Sequence, residues 1–339
     1  MTEISKLKIF YFSGTGNAKQ IALWTSECAE EKGVASEICN ISNIKSLEVF
    51  NTKTTIIIIS PVHGFFYPKI TFDFIRKLPK GNNQVVLMAT RAGLRIGNCV
   101  TPGLTGVAFF VSKLLLKSKG YRIIGQIPFD MPSNWFLLHP ALSQKTVEFI
   151  FEKNHSRLKK HMDKLFSRGQ NFRSSKDMLQ DILISPVSLG YSLAGKYVLA
   201  KSFYASAKCT NCNLCINNCP VKAIKTINGK PYWTFRCESC MKCMTNCPAN
   251  AIESAHGLIV ILSILSSVSL SFLSGVILAD FFHSAIIKIL VFTVLLILFL
   301  SVFYRVQHIL LRNKYFEKLI ILTSLTHYKF WGKRNPKKK

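Results

Sequence analysis

The chain has 339 residues, a formal net charge of +27, a hydrophobic share of 49% and a mean hydropathy of +0.24. The length suggests two or three domains, and the hydrophobic share is high for a wholly soluble protein. No nucleic-acid-binding motif accompanies the positive charge, so we expect no nucleic-acid partner and favour a basic surface that faces anionic membrane lipid.

Residues 1–168 alternate apolar, strand-like runs with stretches of helical spacing. Strands are predicted at 7–12, 34–39, 54–59, 85–89 and 121–127, and helices at about 17–31, 70–78, 103–119 and 141–166. Continuously apolar strands separated by helices are typical of a parallel sheet that is covered on both faces. We therefore expect an α/β domain with a doubly wound, five-stranded parallel sheet, which binds ligands at the carboxyl ends of its strands.

Three loops follow predicted strand ends and carry candidate ligand-binding residues. The first, Ser13-Gly14-Thr15-Gly16-Asn17, opens a helix, where small residues, hydroxyls and unpaired amides suit a phosphate group. A plain tight turn explains this first loop about as well. The second loop can stack a flat ring on its aromatic residues, and its candidates are Pro61, Val62, His63, Gly64 and Phe65. The third loop lets backbone groups approach a ligand edge, and its candidates are Thr90 and Gly93.

These three loops resemble those of flavodoxins. The first is similar to their phosphate loop, and the other two are similar to the loops that flank the isoalloxazine ring. The resemblance implies a flavodoxin-like fold with bound FMN. Ala18 departs from the pattern, because flavodoxins commonly place another hydroxyl there, and the loss of one hydrogen bond lowers affinity without abolishing binding.

Other residues near these loops have competing interpretations. His63 either meets a flavin edge or faces solvent. Arg91 and Arg95 are expected to be solvated, with tuning of the flavin potential or guidance of an acidic partner as the alternative. Cys99 is a candidate for a redox role, whereas Cys28 and Cys39 are interpreted as small buried hydrophobic residues.

A repeated cysteine motif follows a partly apolar bridge at 169–205 and occupies the predicted domain at 206–254. The motif Cys-x2-Cys-x2-Cys-x3-Cys-Pro occurs twice, with an offset of 28 residues. Two 4Fe–4S cubane clusters need this spacing, because three thiolates on one tight turn bind one cluster and the fourth comes from the other copy. One predicted ligand set is Cys209, Cys212, Cys215 and Cys247, and the other is Cys237, Cys240, Cys243 and Cys219.

Zinc sites and disulfides are the alternative interpretations of these cysteines. Paired Cys-x2-Cys units can bind zinc, but zinc does not require the middle cysteine spacing or the Cys-Pro pair. Disulfides need an oxidising compartment, and residues 1–10 lack the apolar core of a signal peptide. We therefore expect reduced thiols that are available to iron.

Together, the two regions resemble a family of ferredoxins with flavodoxin-like N-terminal regions. The likeness covers residues 7 to about 254, and the segment 131–135 is similar to one in that family. The resemblance implies a small α+β ferredoxin domain of the bacterial type with two 4Fe–4S clusters. The residues after 254 lie outside it.

The last part of the chain predicts a transmembrane helical hairpin at 257–304 and a basic tail at 305–339. Residues 257–279 carry no charge, and residues 285–304 carry only Lys288, so each run is long enough to cross a bilayer. The excess of Lys and Arg in the tail predicts a multi-pass protein of the cell inner membrane with its redox domains on the cytoplasmic side. Two buried helices of a globular domain are the alternative.

Three functions are compatible with this organisation. The first is a membrane-anchored iron–sulfur flavoprotein that reduces a small substrate or a quinone. The second is an electron carrier that meets a redox partner protein, for which the basic surface favours an acidic partner. The third is a redox-sensing or assembly module whose flavodoxin-like domain is empty.

Overall fold

A computed structural model describes residues 4–133, 135, 142–195, 199–258, 260, 261, 264, 265, 268, 269, 272 and 285–327. These residues form two units, of which the first ends at Leu189 and the second begins at Gly190. The predicted bridge at 169–205 is thus divided between the two units.

The strands of the first unit are β1 (Lys6–Tyr11), β2 (Ala35–Asn40), β3 (Thr54–Pro61), β4 (Gln84–Gly93), β5 (Arg95–Ile96), β6 (Cys99–Val100), β7 (Arg122–Pro132) and β8 (Asn171–Phe172). Its α-helices are α1 (Asn17–Glu30), α2 (Lys69–Lys77), α3 (Ala108–Ser118), α4 (Gln144–Arg168) and α5 (Met178–Gly190).

The main sheet has the strand order β2-β1-β3-β4-β7-β8, and every neighbouring pair is parallel. Its five long strands confirm the predicted doubly wound sheet, and the two-residue strand β8 extends one edge. The middle strand β3 is buried over seven of its eight residues, because its isoleucines face helices on both sides. Helices α1 and α4 cover one face of the sheet, and α2 and α3 cover the other.

Local sequence signals explain where α4 begins and ends. The side chain of Ser143 caps its first turn by accepting a hydrogen bond from the Thr146 amide at 3.3 Å. The helix ends at Gly169, which adopts a left-handed φ of 68° that favours glycine. The chain then returns to the sheet edge as β8 and continues into α5.

The second unit contains a small two-layer module and two helices that follow it. Its elements are β9 (Phe203–Ala205), α6 (Leu214–Asn217), β10 (Ile224–Ile227), β11 (Lys230–Trp233), α7 (Lys242–Thr245), β12 (Ile252–Ser254), α8 (Ala285–Leu310) and α9 (Lys314–Leu322). Strand β9 pairs with β12, and β10 pairs with β11, both antiparallel. Helix α7 begins 28 residues after α6, and strand β12 begins 28 residues after β10, as the sequence repeat predicts.

Helix α8 contains the second predicted transmembrane run. Its stretch Thr293–Leu310 has a mean hydropathy of 1.8 and is long and apolar enough to cross a membrane. The first predicted run, 257–279, and the turn after it lie largely outside the described residues, so the hairpin stays a prediction.

The last turns of α8 pack against the small module. Tyr304 is buried, and its hydroxyl donates to the carbonyl of Phe203 at 2.8 Å. The Nε2 atom of His308 donates to the carbonyl of Ile227 at 3.1 Å. Helix α9 then turns back onto the module, where the carboxylate of Glu317 accepts from the amide of Ala207. The end of the apolar helix is therefore fixed to the module.

Candidate functional site

The eight motif cysteines gather in two groups in the second unit. The Cys215 thiol lies within electrostatic range of Cys209, Cys212 and Cys247. The thiols of Cys237 and Cys240 lie within range of Cys219, and Cys243 lies within range of Cys237, Cys240 and also Cys215. Cys247 thus lies near the first three thiols and Cys219 near the second three, and the assignment of the crossed ligand sets stays a prediction.

The backbone around both groups repeats in the same conformation. Among the described residues of the second unit, seven residues other than glycine adopt left-handed φ angles between 48° and 60°. One is Asn228, in the turn between β10 and β11, and the other six form three pairs that lie 28 residues apart: Asn211 and Ser239, Asn213 and Met241, and Lys222 and Asn250. Such angles are costly outside glycine and persist where the surrounding structure requires them. Here they wrap the chain tightly enough to bring successive thiols of each motif to one point.

Backbone amides point at the cysteine sulfurs. The amide of Ala223 donates to Cys219 Sγ at 3.2 Å, and the equivalent amide of Ala251 donates to Cys247 Sγ at 3.3 Å. The Ser239 amide donates to Cys237 Sγ at 3.4 Å. Hydrogen bonds to thiolate sulfur stabilise negative charge and are one of the means by which a protein sets a cluster's reduction potential.

The two groups differ in their surroundings. Cys219, Cys237, Cys240 and Cys243 line one cavity together with Trp233 and Phe203, whereas Cys212 of the other group is exposed. Burial, followed by the charge of neighbouring thiols, raises the pKa of Cys237 and Cys243 well above the usual value, and burial raises the pKa of Cys240 to about 11. The Trp233 indole N–H opposes this rise in the pKa of Cys243 but does not overcome it. The indole N–H makes no hydrogen bond of standard geometry with any described residue.

This donor set fits iron–sulfur clusters. All eleven cysteines lie among the described residues, and all are free thiols. In the described part of the chain, no three His, Cys, Asp or Glu side chains are arranged to bind a single metal ion. A zinc ion needs four sulfurs at about 2.3 Å, whereas a cubane spreads its thiolates more widely. The spacing of the cysteines along each motif favours a cluster over zinc for each group.

A buried lysine lies beside the second group. The Nζ atom of Lys201 donates to the carbonyl of Trp233 at 2.6 Å and lies 4.2 to 5.0 Å from three ring centroids, those of Phe235, Tyr304 and Tyr232. Burial lowers its pKa to about 8, and the Cys237 thiolate opposes that shift. Sequence reasoning missed this residue, since nothing in its neighbourhood along the chain marks it as buried. A cation here stabilises negative charge on the sulfurs of the second group.

In the first unit, the loop 13–17 leaves a helix N-terminus open. No side chain caps α1, and its first turn carries no acidic residue. Gly16 has a φ of 111°, and a Cβ added there would meet no atom within 4 Å. The Ser13 hydroxyl accepts from the Gly16 amide at 3.0 Å, and Asn17 Nδ2 donates to the carbonyl of Pro132 at 2.7 Å. The loop is thus fixed at the end of β7 and fits a phosphate group.

The aromatic loop after β3 is a tight turn. The backbones of His63 and Phe66 exchange hydrogen bonds at 2.9 and 3.2 Å, and both central residues, Gly64 and Phe65, have positive φ angles of 54° and 64°. Val62 is fixed to β4 by donating to the carbonyl of Thr90 at 2.9 Å. This positive φ is uncommon for a residue such as Phe65 and is typical of functional loops.

The ends of β3 and β7 bring two rings together. The rings of His63 and Trp135 are nearly parallel, at 12°, with centroids 6.3 Å apart. The hydroxyl of Ser133 is buried close to Trp135 along the chain and makes no hydrogen bond with any described residue. A buried hydroxyl that has no partner among the described residues fits, at this edge of the sheet, a ligand that supplies one.

The expectation that Arg91 is solvated is wrong. Arg91 is 3% exposed, its Nε atom pairs with Asp130, and its Nη1 atom lies 2.7 Å from Asp177 Oδ2. Burial alone lowers the pKa of Arg91, but Asp130 and Asp177 outweigh burial and raise it. Asp130 also accepts from Arg157 at 2.8 Å and from the Gly103 amide at 2.9 Å. The sequence gives no sign of this network, because its members lie far apart along the chain.

The other candidate residues either pack against neighbouring residues or lie at the surface. Gly93 lies at the end of β4, where an added Cβ would be 2.5 Å from the carbonyl oxygen of Asp130. Arg95 stacks on the Phe149 ring at 4.2 Å. Cys28 is buried, as expected, and Cys39 is half-buried with its thiol donating to Glu37. Cys99 is exposed.

Residues 208–252 match the family model of the 4Fe-4S dicluster domain. The chain joins a flavodoxin-like domain to a dicluster domain. The strand order β2-β1-β3-β4-β7 is the 2-1-3-4-5 order of flavodoxin-like sheets. The dicluster domain implies two 4Fe–4S clusters.

The first half of the chain is also similar to solved structures. A flavodoxin from the domain Archaea is 10% identical, with a TM-score of 0.29, over 47% of this chain and 99% of that one. Flavodoxin 1 from Bacillus cereus is 15% identical, with a TM-score of 0.31, over 46% and 99%. The rubredoxin oxygen:oxidoreductase of Desulfovibrio gigas is 11% identical, with a TM-score of 0.30, over 49% and 38%. A comparison with curated proteins gives no match.

Proposed function

We propose that the protein is a membrane-anchored iron–sulfur flavoprotein that reduces a small substrate or a quinone. An electron-transfer role follows from the union of the two domains in one chain. The single observation that carries it is the gathering of eight thiols into two crossed groups, downstream of a flavodoxin-like sheet with an open helix N-terminus.

The residues that would bind each cofactor follow from the two sites. The crossed cysteine sets would bind the clusters, and the loops at 13–17, 61–65 and 90–93 would bind FMN. FMN exchanges electrons singly or in pairs, and a 4Fe–4S cluster exchanges one at a time. The chain's own contribution is to position the groups and to stabilise sulfur charge through backbone amides and Lys201.

Helix α8 supports the membrane anchor. Residues along it, including Val294, Leu298 and Val302, expose 56 to 64% of their surface, which is unfavourable in water. Its last turns pack on the dicluster domain through Tyr304 and His308, so an embedded α8 would hold that domain at the membrane surface. With the hairpin predicted at 257–304, the basic residues after 304 favour insertion into the cell inner membrane with the redox domains in the cytoplasm.

Cofactor content tests the proposal first. Anaerobic purification in detergent should give about eight irons, about eight sulfides and one FMN per chain. Protein that lacks iron, or that contains zinc in its place, would contradict the electron-transfer role. Iron without flavin would instead favour a sensing or assembly module.

An oxidation assay separates the enzyme from a carrier. The dithionite-reduced protein is mixed with a quinone, and the return of the oxidised absorption spectrum is followed. Rapid oxidation supports reduction of a small acceptor. Slow oxidation by quinone and rapid oxidation by an acidic redox protein would favour the carrier, because the strongly basic chain attracts such a partner.

A further inference from the structure

Helix α5 exposes an apolar face that no described residue of the first unit covers. Six of its side chains are exposed by 53 to 72%: Met178, Leu179, Ile182, Leu183, Val187 and Leu189. Monomeric soluble proteins rarely leave so many neighbouring apolar side chains in water. We therefore expect an apolar partner to cover this face.

The inner side of α5 fixes the direction of this face. Asp177, just before the helix, pairs with the buried Arg91 at 2.7 Å. Within the helix, Asp181 accepts from the amides of Thr105 and Gly106 at 3.2 and 2.7 Å. Because these groups are buried or half-buried, the helix is held in one orientation and its apolar side points away from the sheet.

The helix is anchored to the loops at the carboxyl ends of the strands. The hydroxyl of Ser188 donates to the carbonyl of Phe65 at 2.6 Å, and Gln180 Nε2 donates to the carbonyl of Gly103 at 3.1 Å. Phe65 belongs to the aromatic loop that is a candidate for the flavin ring. The apolar face of α5 therefore lies beside the predicted flavin site.

The charge of the chain favours a lipid surface over a second copy of the chain as the partner of this face. Two acidic residues, Asp177 and Asp181, lie near the face but point inward, where they accept from Arg91 and from the Gly106 amide. Lys176, just before the helix, is exposed. Two copies that met through this face would each carry a formal charge of +27, so they would repel each other. Anionic lipid supplies both the apolar phase and the opposite charge.

We propose that α5 is an interfacial helix that seats the flavin loops on the surface of an anionic bilayer, so that the acceptor is a lipid-dissolved quinone. This inference rests on the proposed function, in which the flavin site reduces a small acceptor. The outer face of α5 has the apolar side chains that enter the boundary between headgroups and acyl chains. Its inner polar groups form hydrogen bonds with the rest of the first unit.

A crosslinking experiment tests the lipid contact by itself. Leu183 is replaced by the photoreactive residue p-benzoylphenylalanine in the full chain, which is reconstituted in nanodiscs that contain anionic lipid. The control places the same residue at Val49, which belongs to the same unit and is 76% exposed. After illumination, lipid adducts are expected at 183 and not at 49. Adducts to a second copy, adducts to residues 190–339, or no lipid adducts would overturn the inference.

A kinetic experiment tests the consequence. The double variant Ile182→Glu, Leu183→Glu, which places negative charge against anionic lipid, is compared with the unchanged chain for oxidation by a long-chain and by a water-soluble short-chain quinone. Each quinone takes two electrons from the dithionite-reduced protein and two protons from water to give the quinol. We expect the long-chain rate to fall by roughly tenfold and the short-chain rate to be retained. Retained short-chain oxidation also shows that the variant is folded.

The outcomes distinguish the two proposals. If neither quinone oxidises the unchanged chain, quinone reduction fails as the proposed function, and the crosslink still decides whether α5 meets lipid. If the long-chain quinone oxidises both chains equally well, the interfacial role of α5 is wrong and the proposed function stands. If both rates fall together in the variant, the glutamates act on the flavin site itself, which also contradicts the interfacial role.

Discussion

The two redox domains of this chain are built on different physical principles. The flavodoxin-like sheet has strands of up to 11 residues and a core in which Ile57, Val86 and Ile127 are fully buried. The dicluster domain has strands and helices of three or four residues. A core of that size does not normally hold a domain together without metals or crosslinks. The sheet is therefore stabilised by burial of apolar surface, whereas the dicluster domain depends on its clusters.

The two domains also differ in where their strained backbone conformations lie. The dicluster domain has left-handed residues other than glycine in both copies of its motif, since each motif must wrap its thiols around a cluster. Within the described sheet unit, the only such residue is Phe65, in the loop beside the predicted flavin. Apart from Asn228 in the turn between β10 and β11, these costly backbone conformations lie where a cofactor is expected.

The largest effect is expected from removing a cluster ligand. Cys243→Ser should reduce the iron content from about eight to about four per chain, because one set loses a thiolate while the other is complete. Iron and sulfide analysis with electron paramagnetic resonance of the reduced protein checks this. Cys99→Ser is the matched control, since Cys99 is an exposed cysteine of the sheet unit, and it should leave the iron content unchanged. Loss of FMN binding in the Cys243 variant would contradict the independence of the two domains.

Breaking the buried ion pair should weaken the sheet unit alone. Arg91→Met leaves the carboxylates of Asp130 and Asp177 with one partner fewer, and breaking a buried pair costs about 3–5 kcal/mol. The measurement is urea unfolding followed by hydrogen exchange of amides in residues 4–133. Lys69→Met is the control, because it removes an exposed pair with Asp73 and should cost about 0.5 kcal/mol or less. The iron content should stay constant in both variants, and its loss would show that the domains are coupled.

Acid should also destabilise the sheet unit through a histidine. Burial, followed by the nearby charges of Arg157, Arg173 and Lys164, lowers the pKa of His161 to about 4. Between about pH 6.5 and pH 4, the unfolded chain binds a proton that the folded chain does not, so stability falls as pH falls, by about 3 kcal/mol at most.

Unfolding of the sheet unit measured across this pH range checks the effect. His161→Gln should give a flatter profile, since glutamine does not titrate and its amide oxygen can still accept from Asn171. An unchanged profile in the variant would show that other groups cause the acid sensitivity.

The smallest effect is expected at Ser133. Because its buried hydroxyl has no partner among the described residues, Ser133→Ala should change the free energy of unfolding by about 0.5 kcal/mol or less. If FMN supplies the partner, its affinity should fall by about five- to tenfold, as for the loss of one hydrogen bond. Ser112→Ala is the control, since Ser112 is equally buried and also lacks a partner, but lies on α3. Equal FMN affinity in the two variants would place Ser133 outside the flavin site.

Periodicity and spacing predicted most of the architecture. The five long strands and four helices of the sheet lie close to their predicted positions, because short continuous apolar runs that alternate with helical spacing favour strands buried on both faces. Helix α3 begins five residues later than predicted, at Ala108, since Gly103 packs against the backbone of Ala92 and Gly106 has a left-handed φ. The roles of α5, Arg91 and Lys201 were not predicted, because their partners lie on other elements.

The sequence alone determined the strand pattern and the cysteine repeat, and it predicted the crossing of the ligand sets, because these depend on residue type and on distances of a few residues along the chain. Only the tertiary structure decided that Arg91 is a buried ion-pair partner, that Lys201 lies within aromatic rings beside the second thiol group, and that the apolar side of α5 faces outward. Burial and pairing of charges depend on which distant segments meet, and local sequence patterns do not contain that information.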